Sequence, residues 1–288
     1  MLTRKSFAKI NITLEIIGKR NDGYHDIASV MQAIDLSDEL TFSYADRITL
    51  RSNLKSMENN DNLIVKAARA LRKLTGYTGG ADIFLEKNIP LSSGMGGGSS
   101  NAACTLLSLN SLWGLNLGLA DLFKIADHIG SDVSFFLTSA PALVKGKGNI
   151  VEPINGFPRL YVLTVTPSLD MINKTSLLYS YVTADMFTNG DLSRAVANRI
   201  GQNLPLDGHD TWNVFAELYN GFSQEVVSYK EKMMDCGAEW TQMTGSGPSL
   251  YTFSEDKDFV VNIMSKLVKL GIRCNISSTI SPEISDLI

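Results

Sequence analysis

The sequence has few cysteines and no long apolar run. Its three cysteines, Cys104, Cys236 and Cys274, lie far apart without C-x-x-C spacing, which predicts neither a disulfide framework nor a zinc site. No stretch approaches the roughly 18 uninterrupted apolar residues of a membrane-spanning helix, and the N-terminus lacks the apolar region of a signal peptide. These absences predict a soluble, cytoplasmic protein with no membrane partner.

The chain also lacks an excess of positive charge. Its 288 residues include 26 Lys and Arg against 30 Asp and Glu, a formal net charge of −4, which argues against a nucleic-acid partner. Hydrophobic residues make up 44% of the chain, enough to bury a core in one large domain or two ordinary ones. Composition therefore argues against nucleic-acid and membrane partners, and the function must be inferred from sequence motifs.

Strand and helix patterns mix without a strict β-α-β-α rhythm. Residues 7–16 alternate with period two, which predicts a strand whose polar face includes Lys9 and Asn11. Asp61 or Asn62 can cap a helix with an apolar stripe ending at Leu74. Further strands are predicted at 81–86, 160–166, 238–243, 249–253 and 273–277, and helices at 99–113, 119–129, within 176–183, within 212–235 and at 257–270. We expect an α+β fold with two layered sheets and domains at 1–155 and 156–288.

The strongest chemical signal is the glycine-rich stretch at 90–103, Pro-Leu-Ser-Ser-Gly-Met-Gly-Gly-Gly-Ser-Ser-Asn-Ala-Ala. Its glycines let backbone N–H groups turn toward a ligand, and the helix that follows favours an anion at its N-terminus. The stretch is not a Walker A loop, because no Gly-Lys-Ser/Thr follows, and it is not G-x-G-x-x-G, because Ser99 replaces the third glycine. It predicts a phosphate site, and the alternative is a turn in which Ser100 or Asn101 caps the helix.

With two further stretches, this loop resembles the second motif of the GHMP kinase superfamily, named for galactokinase, homoserine, mevalonate and phosphomevalonate kinases. The first stretch runs from Ala8 to Ile16 and on to Gly-Tyr-His at 23–25, and the third is Met-Thr-Gly-Ser-Gly-Pro-Ser at 243–249. The Gly-Tyr-His is typical of the branch that phosphorylates the 2-hydroxyl of 4-diphosphocytidyl-2-C-methyl-D-erythritol in isoprenoid precursor synthesis. The resemblance implies a ribosomal protein S5 domain 2-like N-terminal domain, which binds ATP, and a ferredoxin-like C-terminal domain.

The resemblance implies catalytic roles for Lys9 and Asp132. Asp132 matches the acid of the family's Gly-Ala-Asp-Val and would take the proton from the substrate hydroxyl. Lys9 would orient Asp132 and stabilise charge on the transferring group. The alternatives are a carboxylate that only caps the next helix and a lysine on a solvated strand edge.

The resemblance also implies binding residues for ATP with Mg²⁺ and for a cytidylyl substrate. Those for ATP are Asn62, Lys87, Gly94, Gly96, Gly97, Gly98, Ser99, Ser100 and Asn101. Those for the substrate are Lys9, Asn11, Tyr24, His25, Asp132, Tyr179, Gly245, Ser246 and Gly247. Asn101 stands where many members have Asp, so Mg²⁺ would rest mostly on phosphate and water, with Ser99 or Ser100 as the protein candidates. Ser131, Ser134 and Pro248 also depart from the family pattern.

The sequence leaves other functions open. A related kinase could act on homoserine, mevalonate or a sugar, and a non-catalytic relative could bind nucleotide only as a sensor. A dinucleotide oxidoreductase is disfavoured because the third glycine is missing. The resemblance leaves a homodimer open.

Overall fold

The computed structural model describes residues 1–168 and 174–280. Strands within them are β1 (Leu2–Asn11), β2 (Thr13–Lys19), β3 (His25–Ala45), β4 (Thr49–Ser52), β5 (Gly80–Glu86), β6 (Ala142–Gly146), β7 (Ile150–Pro153), β8 (Tyr161–Val165), β9 (Trp212–Asn213), β10 (Gln242–Met243), β11 (Leu250–Ser254) and β12 (Cys274–Ser278). The α-helices are α1 (Leu63–Thr75), α2 (Gly97–Leu112), α3 (Leu119–Ala126), α4 (Val133–Phe136), α5 (Lys174–Ser180), α6 (Asp191–Gly201), α7 (Tyr219–Phe222), α8 (Gln224–Asp235) and α9 (Lys257–Lys269).

The larger sheet is built around β3, which is 21 residues long. β1 and β2 pair antiparallel with β3, as do β5 and β6. β4 joins β5, β7 joins β6, and β9 runs parallel to β2. Because β9 comes from the second half of the chain, both halves contribute to this sheet, and the predicted division between residues 155 and 156 stays a prediction.

The smaller sheet has the strand order β10-β11-β8-β12 and is antiparallel throughout. In chain order its strands are second, third, first and fourth, and helices separate the first from the second and the third from the fourth. That is the β-α-β-β-α-β arrangement of the ferredoxin-like fold. The predicted α+β class and the ferredoxin-like second unit are confirmed.

Three hydrophobic clusters hold the layers together. The first lies between the larger sheet and α1, α2 and α3, and the second between the smaller sheet and α8 and α9. The third lies between the two sheets and includes Ile10, Val30, Val162 and Tyr251. Because side chains alternate along a strand, Val162 enters the third cluster while Leu163 enters the second. The order of layers is helices, larger sheet, smaller sheet and helices.

The capping residue and the stop signal in the sequence predicted the position of α1 correctly. The Asn62 side chain accepts a hydrogen bond from the Ile64 N–H at 3.0 Å, and Gly76 ends the helix in the left-handed conformation, with φ of 69°. Gly supplies that conformation without the steric cost that a side chain adds. Leu74 departs from the predicted stripe, since it is 59% exposed.

Several elements differ from the prediction: β4, β6, β7 and α4 were not predicted, and the strand predicted at 238–243 is limited to Gln242–Met243. Trp212 was predicted within a helix, but its N–H donates to the Ile12 carbonyl at 3.1 Å, and this pairing with β2 overrides local propensity. α6 was not predicted. Among the described residues, no helix is both long and apolar enough to cross a membrane.

Candidate active site

The glycine-rich loop packs against the turn of the third motif, which leaves no room for side chains. Gly94 has a φ of 83°, and a Cβ there would lie 2.2 Å from the Thr244 carbonyl oxygen. Gly96 has a φ of 71°, and its Cβ would lie 2.7 Å from a ring carbon of Phe136. Both the conformation and the close approach therefore require glycine at these two positions.

The loop leads directly into α2, which begins at Gly97, slightly earlier than the predicted Ser99. The Ser100 N–H donates to the Gly96 carbonyl at 2.9 Å. Within the described residues, no hydrogen-bond partner is found for the N–H groups of Gly97, Gly98 and Ser99. These are the donors that a helix N-terminus offers to an anion.

Lys9 lies on the face of β1 that was predicted to be polar, and that face is buried. Lys9 is 2% exposed, and its ammonium donates to the Gly94 carbonyl at 2.7 Å and to the Asn11 side-chain oxygen. Burial lowers the pKa of Lys9, and the nearby Asp132 carboxylate opposes that shift. A lysine on a solvated strand edge is thereby excluded.

Asp132 lies just before α4, with its side chain 29% exposed. One carboxylate oxygen is 3.8 Å from the Lys9 ammonium nitrogen. Although Asp132 precedes the helix, its side chain makes no capping hydrogen bond. The simple capping interpretation is therefore excluded, and the carboxylate faces the lysine.

Asn11 connects the first motif to the third. Its side-chain oxygen accepts hydrogen bonds from the Gly245 N–H at 2.8 Å and from the Thr244 hydroxyl at 3.3 Å. Its amide nitrogen donates to the Ser29 hydroxyl at 2.8 Å. The same oxygen accepts from Lys9, so Asn11 fixes the ammonium and the glycine turn relative to each other.

A cavity of about 890 Å³ lies where the three motifs meet, a volume near the upper end for small-molecule sites. The predicted site residues that line it are Lys9, Asn11, Lys87, Gly94, Gly96, Gly97, Gly98, Ser99, Asp132, Tyr179, Gly245 and Ser246. The predicted residues that do not line it are Tyr24, His25, Asn62, Ser100, Asn101 and Gly247.

Two residues predicted to bind ATP make well-defined internal contacts. Asn62 caps α1, and its amide nitrogen donates to the Met57 carbonyl at 2.9 Å. The Lys87 ammonium donates to both carboxylate oxygens of Asp38, at 3.0 and 2.8 Å, and Asp38 is fully buried. Burial lowers the pKa of Lys87, and Asp38 opposes that shift. Their contacts with ATP stay predictions.

Ser100 and Asn101 are directed into the protein. The Ser100 hydroxyl accepts a hydrogen bond from Ser6 at 2.7 Å. The Asn101 amide nitrogen donates to Ser6 at 3.0 Å and to Asp38 at 2.8 Å. Of the two serines proposed for phosphate or metal, only Ser99 lines the cavity.

Of the aromatic residues predicted to hold cytosine, Tyr179 lines the cavity and His25 packs on it. The His25 ring stacks on Tyr179, with centroids 5.1 Å apart and planes 27° apart. Burial lowers the pKa of His25, and the positive charge of Lys19 adds to that effect. Tyr24 is 53% exposed, and the Lys147 ammonium lies 5.5 Å from its ring centroid.

Lys174 lines the same cavity and was not predicted. It is 6% exposed, and its ammonium donates to the carbonyls of Ser92 and Gly247. Burial and the positive charge of Lys9 lower the pKa of Lys174 to about 8. No local pattern identifies this lysine, because the fold brings the three segments together.

Residues 62–140 match the family described as GHMP kinases N terminal domain. The chain is 33% identical over 283 residues to the 4-diphosphocytidyl-2-C-methyl-D-erythritol kinase of Dehalococcoides mccartyi, covering 98% of this chain and 99% of the relative. It is 37% identical over 264 residues to the kinase of that name from Thermodesulfovibrio yellowstonii, covering 89% and 91%.

Comparison with solved structures gives a result consistent with these sequence matches. A crystal structure of 4-(cytidine 5'-diphospho)-2C-methyl-D-erythritol kinase matches with a TM-score of 0.80 and 27% identity, covering 96% of this chain and 99% of that one. A mevalonate kinase matches in fold, with a TM-score of 0.68 and 13% identity, covering 98% and 100%. The fold and the three motifs around the cavity define a GHMP kinase, an ATP-dependent phosphotransferase. Within that superfamily, the chain belongs to the 4-diphosphocytidyl-2-C-methyl-D-erythritol kinase family.

Proposed function

We propose that this protein transfers the γ-phosphoryl group of ATP to the 2-hydroxyl of 4-diphosphocytidyl-2-C-methyl-D-erythritol, a step of isoprenoid precursor synthesis by the methylerythritol phosphate pathway. The observation that carries the proposal is the Lys9–Asp132 pair, 3.8 Å apart, in the cavity that the glycine-rich loop lines. Membership of the protein in the kinase family supports the identity of the substrate. The cavity brings a base and a phosphate site together.

Asp132 would accept the proton of the substrate hydroxyl as that oxygen bonds to the γ-phosphorus, and ADP would leave with the β–γ bridging oxygen. A positioned base contributes typically about 10²- to 10⁴-fold in rate. Lys9 would hold the Asp132 carboxylate and stabilise negative charge on the attacking oxygen and the phosphoryl group. Most of the catalysis would thus come from positioning and electrostatics.

Phosphate groups suit the start of α2. Gly94, Gly96, Gly97 and Gly98 line the cavity, and the N–H groups at the start of the helix are available to phosphate oxygens. We propose that these groups hold the triphosphate, with the Ser99 hydroxyl beside them.

The residues present are compatible with Mg²⁺ held chiefly by its reactants. Among the described residues, no group of three or more His, Cys, Asp or Glu side chains is placed to hold a metal ion. Mg²⁺ keeps several waters and binds readily through phosphate oxygens, so Ser99 would be the main protein contact. The ion would neutralise charge on the phosphates as the phosphoryl group transfers.

The cytosine would bind at the aromatic wall. Tyr179 lines the cavity and His25 stacks on it, so we propose that Tyr179 offers its ring to the base and that His25 reads the base edge. Tyr24 lies outside the cavity lining, and its predicted stacking role is part of the proposal. We also propose that the protein is cytoplasmic and that it forms a homodimer, and analytical ultracentrifugation tests the second proposal.

A coupled ADP-release assay with the cytidylyl substrate tests the proposal. We expect turnover by the wild type, and a loss of at least about 10²-fold with Asp132→Ala, at unchanged ATP affinity. Asp235→Ala, an exposed carboxylate on α8, is the matched control. Turnover of homoserine or mevalonate instead would assign a different substrate, and nucleotide binding without turnover would indicate a sensor.

A further inference from the structure

The charges that line the cavity are not all balanced. Its lysines are Lys9, Lys87, Lys147 and Lys174. The first three have carboxylate partners: Asp132 at 3.8 Å, Asp38 at 2.8 Å and Asp127 at 3.0 Å. Within residues 1–168 and 174–280, no carboxylate forms an ion pair with Lys174. Lys174 is thus the uncompensated cation of this cavity in the described part of the chain.

The position of Lys174 is fixed from two sides. Its ammonium donates to Ser92 in the glycine-rich loop and to Gly247 in the third motif. The next residue, Thr175, adds a hydrogen bond of 2.9 Å between its hydroxyl and that of Ser246. An ammonium has three N–H donors, so two carbonyls leave one donor for a ligand.

We infer that Lys174 binds a phosphate oxygen of the reactants, a role that rests on the proposed function. A buried ammonium without a carboxylate partner is costly, and an anion offsets that cost. Burial and Lys9 already lower the pKa of Lys174, and an anion placed near both lysines would oppose both effects. Two carbonyl acceptors hold the side chain where the glycine-rich loop and the third motif meet.

The phosphate could belong to ATP or to the diphosphate of the acceptor. Calorimetric titrations with ADP and with CDP, run separately, distinguish these sources. Lys174→Gln removes the charge but keeps two N–H donors, and Lys174→Arg keeps the charge. Lys230→Gln, an exposed lysine on α8, is the matched control.

We expect Lys174→Gln to weaken one of the two ligands by about tenfold or more, since hydrogen bonds to charged groups are the stronger class. Lys174→Arg should retain more of that affinity than Lys174→Gln. The affinity of the glutamine variant should also depend less steeply on salt, a change that a purely structural role would not produce. Weaker CDP binding assigns the acceptor diphosphate, and weaker ADP binding assigns ATP.

Unchanged affinities and salt dependence in a folded Lys174→Gln protein that turns over the substrate would overturn the inference and leave the proposed function intact. If the wild type does not turn over the substrate but the affinity changes are observed, the proposed function fails, and Lys174 is retained only as a residue that binds the phosphate of the nucleotide whose affinity changed. If neither variant folds, the wild type decides: its affinity for ADP or CDP should fall as pH rises through about 8. Constant affinity for both ligands up to about pH 9.5 would then overturn it. The other charged groups facing the cavity are the three ion pairs described above.

Discussion

Lys9 and Asp132 lie 3.8 Å apart, and the Gly94 carbonyl accepts a hydrogen bond from the same ammonium at 2.7 Å. The first motif, the glycine-rich loop and the segment before α4 therefore meet at one nitrogen atom. A substitution in any one of these three segments should therefore disturb the positions of the other two.

Replacing Lys9 by Met should lower kcat more than it raises KM for ATP. The change removes a buried charge-assisted donor, and losing one donor to a transition-state oxyanion costs about 10²- to 10³-fold in kcat elsewhere. Steady-state kinetics measure the effect. Lys5→Met, an exposed lysine on the same strand, should leave kcat near the wild-type value, and an equal loss in both variants would contradict the assigned role.

Gly94→Ala should destabilise the protein and abolish most activity. The new Cβ would lie 2.2 Å from the Thr244 carbonyl, at a residue whose φ is 83°, so the loop and the third motif must separate. Thermal melting and the ADP-release assay would both record the change. Gly201→Ala provides the comparison, because no atom lies within 4 Å of its Cβ and Ala suits the end of α6.

Asp38→Ala should cost about 3 to 5 kcal/mol in the free energy of unfolding, because it leaves Lys87 buried without its carboxylate. The Asn101 amide and the N–H groups of Asn88 and Ile89 also lose their acceptor. Urea unfolding of Asp38→Ala, Lys87→Met and the double variant forms a thermodynamic cycle. If the double variant lost more free energy of unfolding than the two single variants lose together, the coupling between Asp38 and Lys87 would be contradicted.

The stability of the ligand-free protein should depend on pH through Lys174. Its pKa is lowered from 10.5 to about 8 in the folded state, so between these values the unfolded chain binds more protons and the folded state gains stability as pH rises. The difference corresponds to about 3 kcal/mol at 1.36 kcal/mol per pKa unit. Urea unfolding from about pH 7 to 10 should therefore show the free energy of unfolding of the wild type rising relative to that of Lys174→Met. A constant difference between the two free energies would argue against the lowered pKa.

The sequence predicts best those elements that local chemistry determines. α1 has its Asn62 cap and its Gly76 stop, and both act as expected. β9 could not be foreseen, because its two residues are a strand only through hydrogen bonds to β2. α6 carries a detectable signal, since Ser193, Val196, Ala197 and Ile200 are buried at helical spacing.

The residues of the candidate site also fall into two groups, those that the sequence identifies and those that only the fold brings into place. The glycine-rich loop, Lys9 and Asp132 belong to motifs that can be recognised in the sequence, and the fold brings them together. Alternation along β1 identified the polar face, but from Ala8 to Asn11 both faces are buried because this part of the strand lies within the layered core. The inward direction of Ser100 and Asn101 and the place of Lys174 depend on packing among distant segments.

The hydrophobic cluster between the two sheets has a consequence for how ligands enter. Its residues come from both halves of the chain, among them Ile10, Val30, Val162 and Tyr251, and the Tyr251 hydroxyl donates to the Asn11 carbonyl at 2.8 Å. The two halves share this apolar surface, so wide separation of the sheets would expose it to water at a large free-energy cost. We therefore expect reactants to enter the open cavity while the two sheets stay packed against each other.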